Sequence, residues 1–236
     1  MGEWLVSLKG EASSLEELRS AFNLARLNVR QEEGHYYLSS SEFDGSTDAA
    51  DVLERASELV AVINAILKVR YGYSKGLAAN NVVRVDDDGT LHNYVFLSGV
   101  MGASGGFHAT LSGGTATSGP AEVELWLDLA RQNSGVMDAL RFFEEDTTWW
   151  SLRKTYDAIE KDFGGQQNQV ARNLTISLDE IKRFKEWASH YVHGELEPAP
   201  DPQHHPGLSL GDAEAFVQNI LMTWLRWKQR SGGNAR

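Results

Sequence analysis

The pattern of the chain changes near Pro120. Before it, short alternating segments of β type and Gly-rich turns dominate. After it, amphipathic helical stretches run almost to the end and carry six of the seven tryptophans: Trp126, Trp149, Trp150, Trp187, Trp224 and Trp227. A period of two and a period of 3.6 cannot be buried by one kind of layer, so the sequence predicts an α+β chain. The expected division is a sheet domain over 1–98, a Gly/Ser/Thr-rich connector or mobile loop over 99–120, a helical bundle over 121–230 and a disordered tail over 231–236.

In the first part, Trp4 to Leu8 reads as an opening strand. Ser14 with Glu17 three residues on forms the pattern of a capping box for a helix whose apolar stripe is Leu15, Leu18 and Phe22. Leu27 to Arg30 and His35 to Ser39 read as strands around the turn Glu33-Gly34. Ser46 or Thr47 is expected to cap a long helix reaching Arg70, with Val52, Ala56, Leu59, Val60, Ile63 and Leu67 on one face. Val82 to Val85 and Thr90 to Leu97 flank Asp88-Gly89, a pair that readily adopts the positive φ of a tight turn. Phe107 to Leu111 is expected to add one more strand. The order suits an antiparallel sheet with two helices, akin to a split βαβ layout.

The seven glycines between Gly99 and Gly119 mark the least ordered stretch. Beyond it five helices are expected, over 121–132, 135–146, 148–163, 178–193 and 210–229. Ser177 with Glu180, and Ser209 with Asp212, carry the signature of an N-cap for the last two. The final helix places Ala213, Phe216, Val217, Ile220, Leu221 and Trp224 on its apolar face. The loop from Glu197 to Gly207 is Pro-rich and is expected to be extended.

Composition excludes whole classes of chemistry. The chain has no cysteine, which removes disulfides, thiolate metal sites and Cys nucleophiles. The N-terminal residues lack a basic, apolar leader, and the apolar run Leu59 to Val69 is short and contains Asn64 and Lys68, so a cytoplasmic protein without a membrane segment is expected. The sequon Asn173-Leu174-Thr175 then has no glycosylation to serve. The net charge of −11 is spread along the chain: residues 1–120 hold 9 basic and 15 acidic side chains. No basic run is present to neutralise phosphates, so no strong general affinity for nucleic acid is expected.

Four of the seven histidines fall between His190 and His205. His190 and His193 are three apart and share a helix face, the spacing of an acid/base pair or of two metal ligands. A third ligand would come from Glu195, His204 or His205, yet the spacing of a zinc module is missing and no metal or other cofactor is expected. Gly102 to Gly106 lacks the Lys-Ser/Thr ending of a phosphate loop. Asp86-Asp87-Asp88-Gly89 lacks the later ligands of a calcium loop and reads as turn chemistry. Trp149 and Trp150 are adjacent and cannot share one helix face, so one is expected in the core and the other at an interface; Trp227 is the third candidate for partner contact.

The second half resembles bacterial proteins with a helical bundle of the HEPN type, many of them from defence and toxin–antitoxin systems. The resemblance rests on Trp150 through Gly165, on Phe184 with Ala188, and on Leu210 to Ala213 with Trp224-Leu225, covering about residues 121–229. Ribonucleases of that superfamily carry an Arg, usually followed by a polar residue, and a His separated from the Arg by four to six intervening residues. Arg183 and His190 match the spacing, while Phe184 stands where the polar residue would be. The resemblance implies a five-helix HEPN-like bundle serving as an interaction or regulatory module, with a protein partner or self-association. Two alternatives remain: a metal-independent endoribonuclease using Arg183, His190 and His193, and a small-ligand binding protein.

Overall fold

Alternation in the first half builds a five-stranded antiparallel sheet in the order β2-β3-β1-β4-β5. Its strands are β1 (Glu3–Lys9), β2 (Leu27–Glu32), β3 (His35–Ser40), β4 (Ala78–Val85) and β5 (Leu91–Tyr94). The structure, a computed structural model, describes residues 2–22, 26–72, 76–96, 120–193 and 207–232. The expected strand Phe107 to Leu111, the Gly102–Gly106 segment and the loop from Glu197 to Gly207, apart from Gly207 itself, lie outside those residues. The chain divides into two compact units, Met1–Ala61 with Lys75–Glu124 and Val62–Ser74 with Leu125–Arg236.

In the first unit, β3 stands between β1 and β2, which is the split βαβ layout, and β4 closes the other flank of β1. Register places Val6 beside Leu38 and Val82, and Leu38 beside Val29. All four are buried and form the apolar row at the centre of the sheet. On the opposite face Arg30 of β2 reaches across β3 to the carboxylate of Glu3 on β1, at 3.3 Å. The turn Glu33-Gly34 has φ of 50° and 82°, as a tight two-residue hairpin requires. At the second hairpin Gly89 has φ 83°, and Asp86 N–H donates to Thr90 O.

Several boundaries differ from expectation. α1 (Ala12–Ala21) starts before Ser14, with Glu11 at the cap position and no side-chain cap. Ser14 is buried one turn before Leu18 on the same face, so it points into the core and does not turn back to cap. α2 (Ala49–Tyr71) is capped by Asp48, whose carboxylate accepts from Ala50 N–H; Ser46 instead donates to the Asp51 carboxylate. β4 begins at Ala78, earlier than its apolar residues suggest. There Ser7 Oγ accepts from Asn81 N–H at a register shift in β1, so two asparagines continue a strand that their β-propensity disfavours.

The second unit contains the end of α2 from Val62 and the helices α3 (Pro120–Gln132, from Leu125), α4 (Ser134–Glu144), α5 (Trp149–Asp162), α6 (Gln167–Leu174), α7 (Leu178–His193) and α8 (Leu210–Gly232). That is six helices after Pro120 among the described residues, where five were expected. α6 escapes the helical pattern because it is short and polar: only Val170 and Leu174 are buried. It follows Gly164 and Gly165, whose φ of 69° and 73° end the preceding helix. α8 continues to Gly232, three residues past its expected end. Ser177 and Ser209 accept from the N–H groups of Glu180 and Asp212, so both expected N-caps form.

α5 is the central element, packed against α4, α6, α7 and α8. Trp224 of α8 is fully buried, and its indole N–H donates to Asp162 Oδ2 at 3.0 Å. At the end of α2, buried Lys68 donates to the carbonyls of Phe143 and Glu145 at 2.7 and 3.2 Å, and its ammonium is 3.5 Å from Glu214. A charge inside this unit is thus tolerated because it satisfies carbonyls that the end of α4 leaves open.

Candidate functional site

The start of α5 and the end of α7 meet in a cluster of aromatic rings. Thr148 fixes the start of α5 by a reciprocal cap: its hydroxyl accepts from Ser151 N–H, and its own N–H donates to Ser151 Oγ, both at 3.0 Å. This cap holds Trp149 and Trp150 in the first helical turn, pointing apart as adjacent helical residues must. The Trp149 ring stacks on Tyr191 at 4.7 Å and 11°. Tyr191 also stacks on Trp187 at 6.1 Å and 27°, so it lies between two indoles. His190 packs edgewise on both Trp187 and Tyr191. Trp150 is 52% exposed and Tyr191 50%, while Lys154 lies 4.4 Å above the Trp150 ring.

A polar ladder ties the two helices together next to these rings. Arg153 donates to Asp157 within α5 at 2.8 Å and to Ser189 of α7 at 3.1 Å. Lys185 of α7 clamps both oxygens of Glu160 on α5, at 2.8 and 2.9 Å. The phenol of Tyr156, close to Glu160, is pushed well above the usual tyrosine range by burial first and by that carboxylate second. Tyr156 therefore stays protonated at neutral pH, and each charge in the ladder has an opposite partner. This arrangement fixes the spacing of α5 and α7. Its accessible product is the aromatic surface at one end.

Arg183 and His190 share a face of α7 but are seven residues apart, about 10 Å of helix rise, and Trp187 occupies the turn between them. Arg183 Nε and Trp187 Nε1 are shielded from solvent without a hydrogen-bond partner. The His193 side chain, Glu195, His204 and His205 lie outside the described residues. Among the described residues no three His, Asp or Glu side chains gather as metal ligands. Trp227, the third expected contact residue, is half-buried and meets Phe163 at 5.0 Å. The Asp86 carboxylate pairs with Arg84 and His92, as turn chemistry requires.

Sequence reasoning selected Trp149 and Trp150 and missed Trp187 and Tyr191 as part of the same surface. Tyr191 continues the helical spacing of Ile181, Phe184 and Ala188, all three fully buried, yet it is half exposed. The available signal was the spacing of Trp187, His190 and Tyr191 at i, i+3 and i+4, which puts three rings on one face.

Comparison with protein-family models, with curated proteins and with solved structures gives no match. No helix of the described residues is long and apolar enough to cross a membrane.

Proposed function

We propose that the chain is a cytoplasmic interaction or regulatory module whose second unit, a HEPN-like bundle, binds a protein partner through the aromatic end of α5 and α7. The observation that carries this reading is the Trp149–Tyr191–Trp187 stack, with Trp150 exposed in the same first turn of α5. Tryptophan and tyrosine are the residues most enriched at the energetic centres of protein interfaces, because a rigid ring buries much area at little entropic cost. Here the rings are already ordered by the Thr148 cap and the Arg153–Ser189 bond, so binding would not have to immobilise them. The resemblance of the second half to bundles from bacterial defence systems points to a protein partner of that setting, or to a second copy of the chain.

The test is purification of the tagged chain at native expression, beside Trp150→Ala and Tyr191→Ala variants of unchanged circular dichroism. A stoichiometric partner, or a dimer in light scattering, that both variants lose supports the reading. A partner or dimer that both variants keep removes it.

A further inference from the structure

We propose that β5 is an open sheet edge that receives an extended, basic peptide as a sixth strand. The sheet order leaves β2 and β5 at the margins. β2 ends in charged and polar residues, Arg30, Gln31 and Glu32, and is guarded in the way natural edges are. β5 is guarded far less. All four of its residues are exposed on both faces; Leu91 is 61% exposed, and Val95 just after it 68%. Among the described residues only β4 pairs with it. An exposed edge that carries Leu91 and Tyr94 beside the polar His92 and Asn93, and no Lys, Glu or Pro, is a template for another strand.

The hydrogen-bond phase shows which groups are available. Asp86 N–H donates to Thr90 O at the hairpin, and the register pairs Val85 with Leu91, Arg84 with His92 and Val83 with Asn93. Bonded and non-bonded pairs alternate in an antiparallel ladder, so His92 and Tyr94 turn their backbone groups to β4. The N–H and C=O groups of Leu91 and Asn93 then point away from the sheet. An added strand bonds to these, in either direction, without disturbing β4.

Charge selects the occupant. The hairpin beside β5 carries Asp86, Asp87 and Asp88 against Arg84, and the chain as a whole carries −11. Two copies joined edge to edge would bring two acidic chains together, whereas an extended peptide with Lys or Arg at its ends is attracted. Apolar residues alternating along that peptide would cover Leu91 on one face and Tyr94 on the other.

The experiment titrates the full chain with a fluorescent peptide of alternating valine and threonine with lysine at both ends. A second peptide carries glutamate at both ends. The expected result is saturable binding of the lysine peptide, slowed amide exchange at Leu91 and Asn93, and binding of the glutamate peptide weaker by about tenfold or more. Asn93→Pro removes one outward donor at a position where an edge tolerates proline, so it should abolish binding while the circular dichroism stays unchanged. His92→Pro, in contrast, should disrupt β4–β5 pairing itself. Absence of binding, equal binding by Asn93→Pro, or perturbed amides away from β5 would overturn the proposal. So would protection of Leu91 and Asn93 that depends on protein concentration without peptide, since the occupant would then be a second copy. None of these readouts involves Trp150 or Tyr191, so this inference stands or falls apart from the aromatic surface.

Discussion

Trp149 and Tyr191 lie ring on ring, 4.7 Å apart and 11° from parallel, and join the first turn of α5 to the last turns of α7. Offset or parallel aromatic pairs contribute about 0.5–1.5 kcal/mol beyond the area they bury. A double-mutant cycle of Trp149→Ala and Tyr191→Ala, followed by urea denaturation, should therefore give a coupling energy in that range. Strictly additive losses would show that the stack does not link the helices energetically.

Lys68 anchors the end of α4. Its ammonium meets two backbone carbonyls, and the Thr147 hydroxyl beside it donates to Glu214 at 2.6 Å. Lys68→Met keeps the four-atom stem of the side chain and removes the ammonium with every donor. Two carbonyls then lose a donor and the Glu214 carboxylate loses its counter-charge while keeping the Thr147 hydroxyl, and a loss of about 2–4 kcal/mol is expected. An unchanged denaturation midpoint would mean that water replaces the ammonium there without cost.

Burial raises the Glu144 carboxyl above the usual glutamate range, against a smaller opposing pull from Lys68. A folded-state value above the unfolded one means that the charged form is the penalised form. Stability is then fully present at pH below the unfolded value and declines as pH rises through the folded one. Glu144→Gln removes this penalty, so the variant should be more stable at pH 7, by on the order of 0.5 kcal/mol once solvent screening is allowed for. The difference should vanish near pH 3. Melting curves at both pH values check it, and equal stability at pH 7 would refute it.

Trp224 shows what the sequence makes legible. Its place on a face with Val217, Ile220 and Leu221 follows from helical spacing, and all four are fully buried. The hairpin at Gly89 and the caps at Ser177 and Ser209 were equally readable, since each is decided within a few residues. The Ser14 cap failed on burial, which local spacing does not report. Lys68 and Tyr191 were illegible for a related reason. Their partners Phe143 and Trp149 lie far along the chain, and only packed helices bring them together. For the Trp224→Ala variant a loss of about 3–5 kcal/mol is expected. Trp224→Phe should lose less and report on the bond to Asp162. An unchanged midpoint for the alanine variant would contradict the burial.

The chain is expected neither to cleave RNA nor to hold unrelated oligonucleotides tightly. General acid/base cleavage requires an imidazole within hydrogen-bond reach of the ribose hydroxyl or the leaving oxygen, with a cation on the same phosphate. Arg183 Nε is shielded from solvent, Phe184 stands where a polar residue would follow it, and the Trp187 indole lies edgewise against His190. The net charge of −11 also opposes the approach of a polyanion. The check is an RNA cleavage assay on the wild type, Arg183→Ala and His190→Ala, with oligonucleotide binding measured over a range of salt. Wild-type cleavage that both substitutions eliminate would install a ribonuclease in place of the interaction module. Tight binding that falls steeply with salt would show a phosphate-neutralising surface that the linear charge pattern conceals.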